Sequence, residues 1–184
     1  IGDYAFYDCD KLLTFFGSDS LSSIGKCAFK SCDALLGISG CKNVLTIGEE
    51  CFADCRQLGT VSVGDKLTTL GNGCFSGCEK LGSVHLSNLL SAIPDRCFYN
   101  CYALSNVTVP ISVTRIGNMA FYNCIKLSIL TFPGTGITSI AADSFAGVPF
   151  SSLQVWYKAT ASASSYLETW LKAPAQSAIQ LHAI

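Results

Sequence analysis

Apolar positions along this chain recur on a fixed period. The aliphatic residues Ile1, Ile24, Ile47, Leu70, Ile93, Ile116 and Ile140 are separated by five steps of 23 residues and one of 24. Five residues after each stands Phe6, Phe29, Phe52, Phe75, Phe98, Phe121 and Phe145. Three further come Cys9, Cys32, Cys55, Cys78, Cys101 and Cys124, with Val148 in the seventh unit. A leucine column follows at Leu12, Leu35, Leu58, Leu81, Leu104 and Leu127, with Phe150 one residue early in the last unit. The unit is clearest over Ile93–Val109, IPDRCFYNCYALSNVTV, whose skeleton is I-x4-F-x2-C-x2-L-x2-V-x-V. Columns that hold one register over seven units describe a chain wound into stacked coils, none of which can bury its apolar face alone.

Within a unit, Leu58–Val63 (LGTVSV) alternates apolar and small polar residues after its leading leucine, which predicts a short strand with one buried face. The equivalent segments Leu81–Leu86, Leu104–Val109 and Leu127–Phe132 are expected beside it in a parallel sheet, about 4.8 Å apart. Phe15, Ile38, Val61, Val84, Val107 and Leu130 form the inward column. Two outward columns follow: Thr14, Thr60, Ser83, Asn106 and Ile129, then Phe16, Ser39, Ser62, His85, Thr108 and Thr131. Turn residues come next, at Gly64-Asp65, Ser87-Asn88, Pro110 and Pro133-Gly134. A second apolar pair, such as Leu67 and Leu70 or Leu90 and Ile93, closes each coil. The segment from each Ile-Gly to the cysteine is too short for a long helix and predicts a helical turn or 3₁₀ piece on the far side. A period of 20 to 29 residues with such segments is the signature of a leucine-rich-repeat solenoid.

The register stops near Val155. A loop from Ala159 to Ser165 then leads to Tyr166, Leu167, Trp170 and Leu171, which fall at helix spacing and end at Pro174. Ile179 and Leu181 add a candidate final strand. The reading is one solenoid domain over residues 1–184, with about seven coils in 1–155 and a cap in 156–184 that covers the exposed end of the core. Ile1 falls inside a repeat, so the sequence is read as a piece of a longer array.

Composition narrows the function. Hydrophobic residues make up 49% of the chain and charged ones 14%, which a continuous solenoid core absorbs. No apolar run reaches the roughly 18 residues of a membrane span, and a net charge of −1 offers nucleic acid or anionic lipid no attraction. Eleven cysteines raise the question of disulfides and metals. Alanine stands at Ala5, Ala28 and Ala120 where other units carry Cys51, Cys74 and Cys97. A position that takes either is small and buried, so buried free thiols are expected. Disulfides between coils are the alternative, since a coil spacing of about 4.8 Å lies within bridging range. The C-x3-C pairs such as Cys51/Cys55 repeat with the coil and bring no histidine, which argues against zinc. His85 lies on the outward face with no carboxylate in its column to orient it, so no catalytic group is assigned and no cofactor is expected.

Two surfaces are candidates for binding. The strand face offers Ser62, Ser83, His85, Asn106, Thr108 and Thr131, with Phe16 and Ile129 as its apolar exceptions. On the far side, Tyr99, Tyr102 and Tyr122 cluster after the phenylalanine column; tyrosines are good anchors for protein or sugar, and equally good cover for a surface. Asn106-Val107-Thr108 is also an N-glycosylation sequon within a predicted strand.

The combination of Ile-Gly-x2-Ala-Phe-x2-Cys-x2-Leu with a Ser-Val-Thr entry, plainest in Ser112–Leu127 (SVTRIGNMAFYNCIKL), resembles the BspA-like subclass of leucine-rich repeats. Cysteine in place of the alanine before phenylalanine departs from that pattern. The resemblance implies a non-enzymatic adhesion or interaction module, on a cell surface or secreted, that binds a protein or glycan partner. An intracellular scaffold is the alternative, favoured by the abundance of thiols.

Overall fold

The computed structural model describes residues 1–159, 166–171, 173 and 176–184. The expected loop at 160–165 and the stop at Pro174 lie outside the described residues. The chain winds through about seven coils, and the phenylalanine column is its spine. Phe6, Phe29, Phe52, Phe75, Phe98, Phe121 and Phe145 stack nearly parallel, with successive ring centroids 5.0 to 5.6 Å apart. All but the two end members are essentially inaccessible. Around them close the cysteine, leucine and opening-aliphatic columns, each buried from the second coil onward.

Each coil has three sides. On the strand face, β1 (Thr14–Phe16), β3 (Gly37–Cys41) and β5 (Thr60–Val63) form one parallel sheet. A second parallel sheet holds β8 (Asn106–Thr108), β10 (Ile129–Phe132), β12 (Gln154–Tyr157) and β13 (Gln180–Ala183). The apolar pair that closes each coil makes two-residue strands of its own, which the sequence reading had not expected as ladders. These are β2 (Ser23–Ile24), β4 (Thr46–Ile47) and β6 (Thr69–Leu70), then β7 (Ala92–Ile93), β9 (Arg115–Ile116) and β11 (Ser139–Ile140).

The third side is built of turns with 3₁₀-type bonds. In the fifth coil the amides of Tyr99, Cys101 and Leu104 donate to the carbonyls of Arg96, Phe98 and Cys101, at 3.1 to 3.2 Å. They do not run on as a helix, because Arg96 and Asn100 take left-handed φ of 54° and 57°. The column of Asn100 reads Asp8, Ser31, Asp54, Gly77, Asn100, Asn123 and Gly147, all with positive φ and mostly types that tolerate it. The reversals turn alternate amides along the stack: those of Arg96, Phe98 and Asn100 donate to the carbonyls of Asn118, Ala120 and Tyr122.

Both ladders break at one step. The expected strand Leu81–Leu86 makes only a bridge, Ser83 to Asn106, and β6 does not pair with β7. In the other coils the amide after the opening aliphatic donates to the previous coil, as Gly48 to Ile24 and Gly71 to Ile47, both 2.8 Å, and Gly117 to Ile93, 2.8 Å. Pro94 occupies this position in the fifth coil and has no N–H to give. Side chains bridge the strand side instead: Ser87 Oγ donates to the Asp65 carbonyl at 2.7 Å, and His85 Nε2 lies 2.6 Å from Asp65 Oδ1. The half-coil Leu81–Ile93 thus stands off from Leu58–Leu70, and Val84, expected in the inward column, is only half-buried. Phe15 is half-buried too, because it lies in the end coil.

At the other end the expected short helix is present. Helix α1 (Tyr166–Leu171) buries Leu167 and Leu171 and sets Trp170 against Phe145, 5.3 Å between rings. The Tyr166 hydroxyl lies 3.2 Å from the Ile140 amide, at the free edge of β11. Strand β13 continues the sheet from β12, in register from Gln154↔Gln180 to Tyr157↔Ala183.

Candidate interaction surfaces

On the strand face, Ser62, Ser83, His85, Asn106 and Thr108 are exposed and Thr131 is half-buried. The two apolar members differ, Phe16 being 76% exposed and Ile129 37%. Registers Asn106↔Ile129 and Thr108↔Thr131 put the later residues side by side, while the broken ladder separates Ser62 from His85. Ser83, His85, Asn88, Thr108 and Pro110 line a cleft of 300 Å³. His85 has no carboxylate in its own column, but Asp65 reaches it from the turn of the preceding coil. Column reasoning missed it because the partner sits 20 residues back rather than 23. With the two side chains 69% and 84% exposed, the pair is a weak surface contact that orients the ring.

Trp156 follows Thr131 in register, and His182 follows Trp156, with their rings stacked at 4.3 Å. The outward column therefore runs past Val155, through Trp156 to His182.

On the turn side, Tyr99 and Tyr122 stack at 5.0 Å with ring planes 9° apart. Tyr102 stands in a separate shallow cleft with Glu79, Lys80 and Lys126. Charges one coil apart pair along this side: Lys26 with Glu49 at 2.8 Å, Lys30 with Glu50 at 2.6 Å, Arg56 with Asp33 at 3.1 Å. The hydrogen bond from Lys30 holds the Glu50 carboxyl below its ordinary range, and Glu50 raises the Lys30 ammonium in return. Reading the charged residues on the 23-residue period would have found two of these three pairs. Arg96 makes no ion pair among the described residues.

The thiols are unpaired, and ten of the eleven are buried. Each ladder thiol from the second to the sixth coil donates to the phenylalanine carbonyl of the coil before, Cys55 to Phe29 at 3.0 Å and Cys101 to Phe75 at 3.1 Å. In the smaller column, Ser144 of the seventh coil replaces Cys97 and Ala120, with its hydroxyl 2.8 Å from the Gly117 carbonyl. Burial raises the thiols of Cys51, Cys74, Cys97 and Cys101 well above their ordinary range, and that of Cys124 to about 12. Such thiols pack and do not attack.

The profile of the BspA type leucine rich repeat region matches residues 1–124 and 91–167, in six copies. Among solved structures, the chain is similar to a leucine rich cell surface protein of Faecalibacterium prausnitzii A2-165, at 18% identity and TM-score 0.63, over 88% of this chain and 64% of that one. It is similar to the T. pallidum leucine rich repeat protein TpLRR at 24% identity and TM-score 0.62, over 80% and 73%. A leucine-rich repeat protein of Bacteroides ovatus matches at 26% identity and TM-score 0.54, over 100% and 58%. No curated protein matches the chain. The chain thus spans just under two thirds of the F. prausnitzii protein. With the family profile covering most of its length and its Phe and Cys columns stacked coil on coil, the chain belongs to the BspA-type leucine-rich-repeat family.

Proposed function

We propose that the array is a non-enzymatic interaction module of a cell-surface or secreted protein, and that it holds a protein or glycan partner on its repeat surface, chiefly the strand face. The observation that carries this is the strand face itself. It is a row of exposed short polar side chains from Ser62 to Thr108, flanked by the exposed rings of Phe16 and Ile129's aliphatic side chain, on a backbone held by stacked coils. An extended, mixed surface on stacked coils presents many anchors. The polar inventory favours binding over chemistry: His85 and Asp65 are both open to solvent, and burial raises the thiols of Cys51, Cys74, Cys97 and Cys101 rather than activating them. The F. prausnitzii neighbour is described as a cell surface protein, which supports the same placement here. Among the described residues no helix is long and apolar enough to cross a membrane.

The placement is tested by protease treatment of intact source cells: release of the array before lysis is expected, and protection until lysis would favour an intracellular scaffold. For the surface, lysine at Ser62, Ser83 or Thr108 is expected to weaken capture of the natural partner about tenfold or more without lowering the unfolding midpoint. Unchanged capture by all three variants removes the strand face.

A further inference from the structure

The turn side carries a polar trough apart from the strand face. The column after phenylalanine reads Tyr7, Lys30, Ala53, Ser76, Tyr99, Tyr122 and Ala146. Two small residues in succession, Ala53 and Ser76, leave a trough across two coils, closed at one end by Lys30 and at the other by Tyr99. Its volume is 320 Å³, at the lower end of the roughly 300 to 1,000 Å³ that small-ligand sites occupy. Tyr122 stacks on one face of the Tyr99 ring at 5.0 Å with planes 9° apart, so the opposite face looks down the column toward Ser76. The rim is polar on both sides. Glu50 is fixed by its 2.6 Å bond from Lys30, and Arg96 stands opposite in charge without an ion pair among the described residues. A second cleft of 280 Å³ continues from Glu50 and Arg96 toward Asn72 and Asn118.

The geometry points to a binding site for a neutral hexopyranose unit of a glycan, in this trough. A flat aromatic face matches the C–H face of a pyranose ring. A fixed carboxylate accepts from sugar hydroxyls, and a free guanidinium donates to ring and hydroxyl oxygens. The cations Lys30 and Arg96 are matched by Glu50 and the neighbouring Asp54, so the trough has no net charge to select an anionic sugar. Continuation into the second cleft gives room for a further sugar unit. The site is independent of what the strand face holds.

The experiment uses methyl glucoside, galactoside and mannoside and their short oligosaccharides, with saturation-transfer NMR and titration of the full chain. One of these series is expected to bind, with a single ring in the millimolar range, on the order of 1 mM. Tyr99→Ala should weaken it about tenfold. Because Tyr99→Ala also removes a stacking partner, Ser76→Tyr is the second variant: tyrosine already stands in this column in three coils, and here it would fill the trough and abolish binding with the fold intact. Ser22→Lys, exposed and away from both the trough and the strand face, should leave affinity unchanged. Absence of binding by every hexoside at about 10 mM overturns the site, as does full binding by Ser76→Tyr. Loss in Thr108→Lys with retention in Ser76→Tyr overturns it as well, and moves the sugar to the strand face.

Discussion

Nine of the eleven cysteines stand in two columns with different jobs, and the difference is visible one residue at a time. The ladder cysteine is a donor: its thiol caps the phenylalanine carbonyl of the previous coil, as Cys78 does to Phe52 at 3.1 Å. The cysteine before phenylalanine is a filler, replaced by Ala28 and Ala120 at full burial. Cys74 is a filler whose thiol burial drives well above its ordinary range. A group with its native value raised stabilises the fold below the unfolded thiol's range and loses that contribution as pH rises beyond it. The native state keeps its proton while the unfolded chain gives it up. Stability is therefore expected to fall above about pH 8.5. Cys74→Ala should flatten that fall by about 1.4 kcal/mol per pH unit, at a cost near neutrality of only about 1 kcal/mol. Urea midpoints at several pH values from neutral to alkaline measure it, and an unchanged slope would mean that Cys74 titrates in the folded protein.

At the scale of elements, the phenylalanine stack sets the coil spacing and the strands follow. Phe75 contacts Phe52 at 5.5 Å and Phe98 at 5.6 Å, so its removal opens both neighbouring steps. Phe75→Ala is expected to cost about 3 to 5 kcal/mol, and Phe6→Ala, half-buried with one stacked neighbour along the column, roughly half as much. Equal losses in denaturant unfolding would show that the stack acts locally and not as a column. This spine was fully legible in the sequence, because a period of 23 with an invariant ring leaves one way to stack. The strand-face candidates were equally legible, since alternation assigns each residue a side. The trough was not, because it is made by what Ala53 and Ser76 lack, and a column of small residues reads as nothing until the rings at its ends are placed. The turns were half legible: the Asp, Asn, Ser and Gly run was on view, but its meaning needed the positive φ that steers alternate amides along the stack.

The whole molecule behaves as a line of coils, each stabilised by its neighbours, so its properties depend on the weakest step. That step lies between Leu58–Leu70 and Leu81–Ile93, where both strand ladders are interrupted while the turn side stays bonded through Phe52 to Cys74 and Asp54 to Ser76. The amides of Gly82 and Ser91 should then exchange far faster than those of Ser105 and Thr114, which donate to Gly82 and Ser91 at 3.0 and 2.9 Å. If Pro94 causes the break, Pro94→Gly restores a donor at the place where Gly71 and Gly117 have one. Stability is a poor readout of that repair. One hydrogen bond returns about 0.5 to 1.5 kcal/mol, while glycine in place of proline gives up about 0.4 to 1 kcal/mol through the unfolded chain, so the two nearly cancel. Hydrogen exchange separates them: the new amide at position 94 should be as protected as that of Gly117, and the Ser91 amide should slow with it. Fast exchange at both in the variant would shift the cause to His85 and Ser87, whose side chains hold Asp65 where a ladder would otherwise run. In that event Ser87→Ala, and not Pro94→Gly, is the change that closes the step.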